Sequence, residues 1–319
     1  MLRIGFIGAG GIANAHANAL SLVDQVRVTA VLDVDLERAQ QFGDKHKAKV
    51  CASMRQLLRN SDAVYICTPP FARLKETLSC ARAGKHIFAE KPICLTMSEA
   101  RKIAKGVDKA AIHCMVGYVL HYWPNFKAVH DVAASGELGD LQVCWCNRMG
   151  LGPRGGWIED PKKSGGMTVE FNSHDIDWLL WVGGPAREVY GKTLTIPGDG
   201  IERNVWGIFT FAQGIGVLGS SWAAPLGWSA FGVIGSRGMV FCGQDGKVRK
   251  RPAVGEEVEV PLDPIPDAMV EEDRLFVESV LADKQPPIPL AAGVAALQAS
   301  LAIQKSSASG KPVRLSPRA

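Results

Sequence analysis

The chain has 319 residues, 47% hydrophobic and 21% charged, with a formal net charge of +4. That length exceeds what one hydrophobic core usually serves, so two domains are expected, and the composition excludes a disordered or fibrous protein. The mild charge comes without a clustered basic stripe, which argues against nucleic acid as a partner.

The amino terminus, Met1-Leu2-Arg3-Ile4-Gly5-Phe6-Ile7, shows no leader pattern, and no apolar run is long enough to span a bilayer. A cytoplasmic protein with no membrane partner is the expectation. The same residues read as a strand, Leu2–Ile7, followed by a helix over Ile12–Leu22. Strands at Arg27–Asp33, Ala63–Thr68, Ile87–Ala89 and His113–Gly117 then alternate with helices at Leu36–Phe42, Leu74–Ala83 and Ser98–Gly106. Alternation with short connections implies a parallel sheet covered on both faces.

After Tyr118 the rhythm changes. One helix at Phe126–Ala134 is followed mainly by strands: Leu141–Met149, Glu188–Thr195, Arg203–Phe211, Ile215–Trp222, Trp228–Ile234 and Met239–Cys242. Helices are expected only near Asp175–Trp181, Asp267–Leu281 and Leu290–Gln304. Close spacing of the strands predicts a mostly antiparallel sheet. The division is therefore 1–118 for a doubly wound α/β domain and 119–319 for an α+β domain with a large open sheet. In Asn204–Phe211 both strand faces are apolar, so a second copy of the chain is expected to cover one of them, as a homodimer or homotetramer. Lys247-Val248-Arg249-Lys250-Arg251 reads as a solvated strand or hairpin face. The eight cysteines form no CxxC pair, and Cys144 and Cys146 lack the partners of a zinc pattern. They are expected to be reduced and mostly buried, with no metal bound.

Gly8-x-Gly10-x-x-Ala13 lies directly between a strand and a helix, the context that makes it a dinucleotide fingerprint. Gly8 permits the turn, Gly10 admits a pyrophosphate, and the helix start at Gly11 and Ile12 offers N–H groups to the phosphates. Asp33 ends the second strand, where an acid accepts from the adenine ribose hydroxyls. Asp35 follows in place of an arginine, so NAD is favoured over NADP. Farther on, the run Ile87-Phe88-Ala89 ends in Glu90-Lys91-Pro92. Ligands bind beyond the carboxyl ends of parallel strands, so this charged pair is well sited for chemistry, although a strand running out into solvated charges fits the stretch alone equally well. Pro92 can hold the Lys91–Pro92 bond cis.

Gly8-x-Gly10-x-x-Ala13, Thr68-Pro69, Ala83-Gly84-Lys85-His86 and Glu90-Lys91-Pro92, in this order, resemble the Gfo/Idh/MocA oxidoreductases. The resemblance continues through Gly165-Gly166, Glu170-Phe171-Asn172-Ser173-His174-Asp175-Ile176-Asp177 and Gly310-Lys311-Pro312-Val313. It implies a Rossmann domain and a second domain that binds substrate. It implies a cofactor site that includes Thr68, Pro69, Glu90 and Lys91, with Lys91 also contacting the reacting hydroxyl and His174 moving its proton. A neutral imidazole suits that task near pH 7, and a place in the first turn of a helix, capped by Asn172 or Ser173, disfavours its charged form. A cationic Lys91 would stabilise a developing alkoxide. Glu170 stands where the family often has Asp, as a third catalytic or orienting group. Arg73 and the run His121-Tyr122-Trp123-Pro124 also depart from the family's usual His and Arg.

The glycine-rich stretch 150–166 carries Trp157 and Asp160 and is expected to be a lid. Trp157, Tyr118, His121, Trp123, Arg148 and Arg154 are pocket candidates, with core or oligomer contacts equally open for the aromatic residues. The expected activity is NAD-dependent hydride transfer to or from a secondary alcohol of a sugar, inositol or related polyol. Two other readings remain: a glycoside hydrolase or lyase that oxidises a sugar carbon transiently, and a non-catalytic NAD-binding sensor. The first would turn over without net NADH. The second would need neither Lys91 nor His174.

Overall fold

The structure is a computed structural model that describes residues 1–264 and 267–316. The first part of the chain alternates strands and helices: β1 (Leu2–Ile7), α1 (Gly11–Leu20), β2 (Val26–Leu32), α2 (Leu36–His46), β3 (Lys49–Val50), α3 (Met54–Arg59), β4 (Ala63–Ile66), α4 (Arg73–Arg82), β5 (His86–Glu90), α5 (Met97–Ala110) and β6 (Cys114–Gly117). The strands form a six-stranded parallel sheet in the order β3-β2-β1-β4-β5-β6. The chain winds outward from β1 in one direction and from β4 in the other, so the carboxyl ends of β1 and β4 flank the crevice where such sheets bind ligands. β4 explains why the sheet needs cover on both faces: all four of its residues are buried. α5 starts on a reciprocal capping box between Thr96 and Glu99, two orphan backbone donors satisfied at once.

The second part comprises α6 (Pro124–Ala134), β7 (Leu141–Leu151), α7 (Pro161–Ser164), α8 (Met167–Glu170), α9 (Ser173–Gly183), β8 (Glu188–Thr195), β9 (Glu202–Thr210), β10 (Ile215–Ser221), β11 (Ala223–Gly235), β12 (Gly238–Cys242), β13 (Val248–Pro252) and β14 (Val258–Glu259). After these come α10 (Ala268–Leu281), α11 (Leu290–Ser309) and β15 (Val313–Arg314). The sheet has nine strands in the order β14-β13-β12-β11-β7-β10-β9-β8-β15, all antiparallel except the parallel pair β7–β10. This is the expected combination of a Rossmann sheet and an α+β domain. Along β9 the pleat separates Val205 and Phe209, fully buried, from Trp206 and Ile208, both about half exposed at 49% and 46%.

The division of the chain differs from the expected 1–118 and 119–319. One compact unit holds Met1–Val119 together with the later stretch that carries α10 and ends at Val294; the other starts at Leu120 and resumes at Ala295. α10 belongs to the Rossmann unit because its buried Asp273 is bonded to His16 of α1 and Tyr65 of β4. All eight cysteines are buried free thiols. Among the described residues, no helix is long and apolar enough to cross a membrane.

Candidate functional site

The glycine turn follows from its backbone. Gly8 has φ +92°, and a Cβ there would sit 3.0–3.1 Å from backbone atoms of Cys67 and Thr68, which cannot give way. Only glycine serves where β1 passes the end of β4 so closely. Gly10 and Gly11 differ: a Cβ on either would meet no atom of the described residues within 4 Å. Among those residues no packing contact requires glycine there, and the open space suits a pyrophosphate lying against the backbone. Gly10 occupies the N-cap of α1 without any side-chain cap bond, so the first-turn N–H groups face that space. Ala13 is fully buried where helix meets sheet. These residues fit a dinucleotide.

Asp33 ends β2 with its carboxylate tied to the turn. It accepts from the backbone N–H of Ala9 at 2.7 Å and of Asp35 at 2.9 Å. A feature not expected from sequence lies beside it: the Arg38 guanidinium reaches within 3.8 Å of Asp33 from the first turns of α2. The signal was present but not adjacent, since four residues of loop and helix intervene. Thr68 has its hydroxyl donated to the Glu76 carboxylate, while its carbonyl accepts from Arg73 Nε at 2.7 Å.

Lys91 follows β5 directly, and its bond to Pro92 is cis. The turn is held from two sides. On one, the buried Arg73 guanidinium donates to the carbonyl oxygens of Glu90 and Pro92, which bracket Lys91. On the other, Glu90 Oε2 accepts the Lys91 backbone N–H at 3.0 Å and Glu90 Oε1 meets His16 Nε2 at 2.9 Å. Burial pushes the Glu90 carboxyl up, but the hydrogen bond and charge of His16 outweigh it and hold it below the usual carboxylate range. His16 was not singled out in the sequence. Its place in the buried stripe Ala13, His16, Ala17, Leu20 of α1 is the signal that could have found it.

In the second unit Gly165 and Gly166 have φ +79° and +86°, and a Cβ on Gly166 would strike the Glu202 carboxylate. That carboxylate accepts from the Thr168 N–H and hydroxyl, which seats α8. Glu170 ends α8, half-buried, and its carbonyl accepts from Ser173 Oγ at 3.0 Å. His174 lies, half-buried, in the first turn of α9. Asn172 takes the N-cap place but does not cap. Its amide instead donates to Asp175 at 3.0 Å and Ser220 at 2.6 Å.

The expected pocket residues each have partners of their own. Arg148 is committed to the fully buried Asp175 and lies 4.4 Å over the Phe171 ring, which accounts for it as a structural ion pair. His121 Nε2 meets Asp177 Oδ2 at 2.6 Å, and its ring stacks on Trp181 at 3.9 Å. Tyr118 is buried in the first unit, whereas Trp123 is exposed in the second. Trp157 sits in a 3-10 turn, Gly156–Glu159. The stretch 150–166 is not the structureless loop expected. Glu159 and Asp199 pin it to Arg203 of β9, Asp199 also takes Arg154 at 2.9 Å, and Asp160 caps α7.

Comparison with known proteins agrees with this geometry. The sequence model described as the oxidoreductase family with an NAD-binding Rossmann fold matches residues 2–118, and that of the GFO/IDH/MocA C-terminal domain matches residues 126–241. The chain belongs to the GFO/IDH/MocA oxidoreductase family. It is 27% identical to the uncharacterized oxidoreductase YrbE of Bacillus subtilis, over 98% of this chain and 96% of that one. It is 25% identical to the myo-inositol 2-dehydrogenase of Thermotoga maritima, over 98% of each. A levoglucosan dehydrogenase solved in complex with NADH shares the fold, with a TM-score of 0.90 over 99% of both chains at 17% identity. As a GFO/IDH/MocA member the chain is an NAD(P)-dependent oxidoreductase with a dinucleotide-binding Rossmann unit.

Proposed function

We propose that this GFO/IDH/MocA protein transfers a hydride between the nicotinamide of NAD and a secondary alcohol or ketone of a sugar, inositol or related polyol. The observation that carries the reading is the turn at the end of β5, where Arg73 and Glu90 together immobilise the backbone around Lys91. A cation carried on a backbone so held suits a charge that appears only in the transition state, because the turn itself need not rearrange when the alkoxide develops. The dinucleotide supplies the hydride acceptor or donor. His174 takes the hydroxyl proton on oxidation and returns it on reduction, and Glu170, four residues before it, orients substrate or imidazole. Substrate class is supported by relatives such as the myo-inositol 2-dehydrogenase. A panel of sugars and polyols, followed by absorbance of reduced nicotinamide with NAD and with NADP, tests it. NADH formation on at least one polyol is expected, and tight NAD binding with no turnover on any of them would refute it.

NAD is preferred to NADP because the Asp33 carboxylate repels a 2′-phosphate and accepts from the ribose hydroxyls. Asp33→Ala is expected to weaken NAD binding by roughly ten- to hundredfold, the loss of about 1.5–3 kcal/mol for hydrogen bonds to a charged group. The same change leaves Arg38 facing the vacated place, so NADP affinity should rise. Titration of both cofactors by fluorescence measures this, and unchanged selectivity would show that Asp33 is not the ribose ligand.

The open face of the nine-stranded sheet carries Tyr190, Trp206, Ile208, Ile215 and Ile234, all exposed. We propose that a second copy of the chain covers it, giving a homodimer or homotetramer. An exposed apolar patch of this kind marks an interaction site. Ile208→Glu at its centre should shift the light-scattering mass toward one chain, and a wild-type mass of one chain at micromolar concentration would remove the proposal.

A further inference from the structure

His16 has a role that the hydride-transfer chemistry leaves unassigned. Its side chain is fully buried between two carboxylates, Glu90 at 2.9 Å from Nε2 and Asp273 at 2.9 Å from Nδ1. The ring packs on Tyr65 and Phe88, edge-on, at 5.3 and 4.9 Å. A neutral imidazole carries one donor and one acceptor and can serve only one of two ionised acids. Donation from both nitrogens requires the imidazolium, and a buried carboxylate without a charged partner is strongly unfavourable. The Glu90 oxygen not facing His16 accepts the backbone N–H of Lys91.

We propose that His16, as an imidazolium bridging Glu90 and Asp273, is the positioning residue that orients Lys91. The proposal rests on the catalytic reading of Lys91 given above. The contacts run from Asp273 on α10 through the imidazolium to the Glu90 carboxylate and then to the Lys91 amide. The charged and titratable groups facing the ring are Glu90 from β5 and Asp273 from α10. Behind these lie Tyr65 of β4, whose hydroxyl donates to Asp273 at 3.1 Å, and Arg73 of α4, on the Glu90 carbonyl. Glu272 acts on Tyr65 through its charge, Arg73 and Lys91 act on Glu90, and burial pushes the Cys67 thiol well above its usual value. Burial pushes the imidazole down, but the charges and hydrogen bonds of Asp273 and Glu90 outweigh it and hold His16 well above the usual histidine value. Its stabilisation is therefore complete below that usual value and disappears as pH climbs through the raised one. Above that pH the ring donates to only one of the two carboxylates, the bridge opens and the Lys91 turn loosens.

The wild-type protein provides the first test. Nitrogen-15 NMR of the His16 ring, assigned through its contacts with Tyr65 and Phe88, should show both nitrogens protonated well past the pH where exposed histidines titrate. A ring that becomes neutral at the ordinary histidine value overturns the proposal. His16→Gln, with Asp273→Asn as the gentler second variant, should keep NAD affinity and KM. Each should lower kcat, by roughly a hundredfold for His16→Gln, since small misplacements near chemistry have effects of that size. Hydrogen exchange at the Lys91 amide should quicken in both. Folded variants with wild-type kcat and unchanged exchange would overturn the positioning role. Lys91→Ala run alongside separates the two claims. If it is silent, the catalytic reading fails and the NMR and exchange results still judge the bridge; if it is inactive while the His16 and Asp273 variants are fully active, only the positioning role falls.

Discussion

Lys91→Ala is expected to lower kcat by about 10²–10³-fold, the range found when a preorganised donor to a developing oxyanion is removed. The loss should appear in kcat and kcat/KM together, because the interaction strengthens only as the alkoxide forms. NAD affinity should change little. In the proposed site the glycine turn, the α1 amino terminus and Asp33 would hold the dinucleotide through groups other than the lysine side chain. The clamp on the turn should also survive, since Arg73 binds the carbonyl oxygens of Glu90 and Pro92 and Glu90 binds the backbone N–H of residue 91. Lys91→Arg is a sharper control. It keeps the charge but spreads it over a planar fork, so partial recovery would identify charge as the main contribution and a full loss would identify geometry. Near-wild-type turnover in Lys91→Ala, measured by stopped-flow nicotinamide absorbance, would end the assignment.

His174→Ala is the second large effect, expected to reduce turnover by about 10²–10⁴-fold, the usual contribution of a positioned acid–base group. Its signature is in the pH dependence. In the oxidative direction an imidazole base is lost on protonation, so the wild-type kcat/KM profile should fall on the acid side, and that limb should vanish in the variant. Added imidazole should restore part of the rate. An acid limb unchanged in His174→Ala would assign the base to another group, with Glu170 the first to examine. Asp175, Asn172, Arg148 and Ser220 form a hydrogen-bonded network next to the half-buried His174, and circular dichroism of the variant beside wild type checks that the fold is kept.

The segments that were legible in the sequence are those whose pattern is long and local. Leu2–Ile7 and Glu188–Thr195 are strands with the bounds expected, because apolar runs or alternation between turn residues suffice to define them. The elements that escaped are short or interrupted. β3 and α3 are two and six residues long, too brief for a period to register. β11 begins at Ala223 rather than near Trp228, because Pro225, Leu226 and Gly227 break the alternation while the ladder to β7 continues past a register shift. The stretch 150–166 looked like a lid from its glycines, yet the two arginines and two acids that hold it meet only when β9 is laid alongside.

The same division applies to the site. Gly8, Gly10 and Asp33 stand out from the sequence alone, since a turn with positive φ, a close backbone approach or an acid at a strand end each demands particular residue types at fixed spacing, whereas the roles of Lys91 and His174 are implied by the family resemblance. The support around them is not spaced in that way. Arg73 looked only like a departure from a family's usual histidine; in the folded unit its guanidinium grips the backbone on both sides of Lys91. His16 and Asp273 are separated by 257 residues and meet inside the Rossmann unit, which is also why α10 belongs there and not with the neighbours it has along the chain. Local chemistry marks where a dinucleotide is proposed to bind. Which buried charges hold Lys91 in place was decided by tertiary structure, because an ion pair between distant residues depends on where the whole chain returns and leaves no period in the sequence.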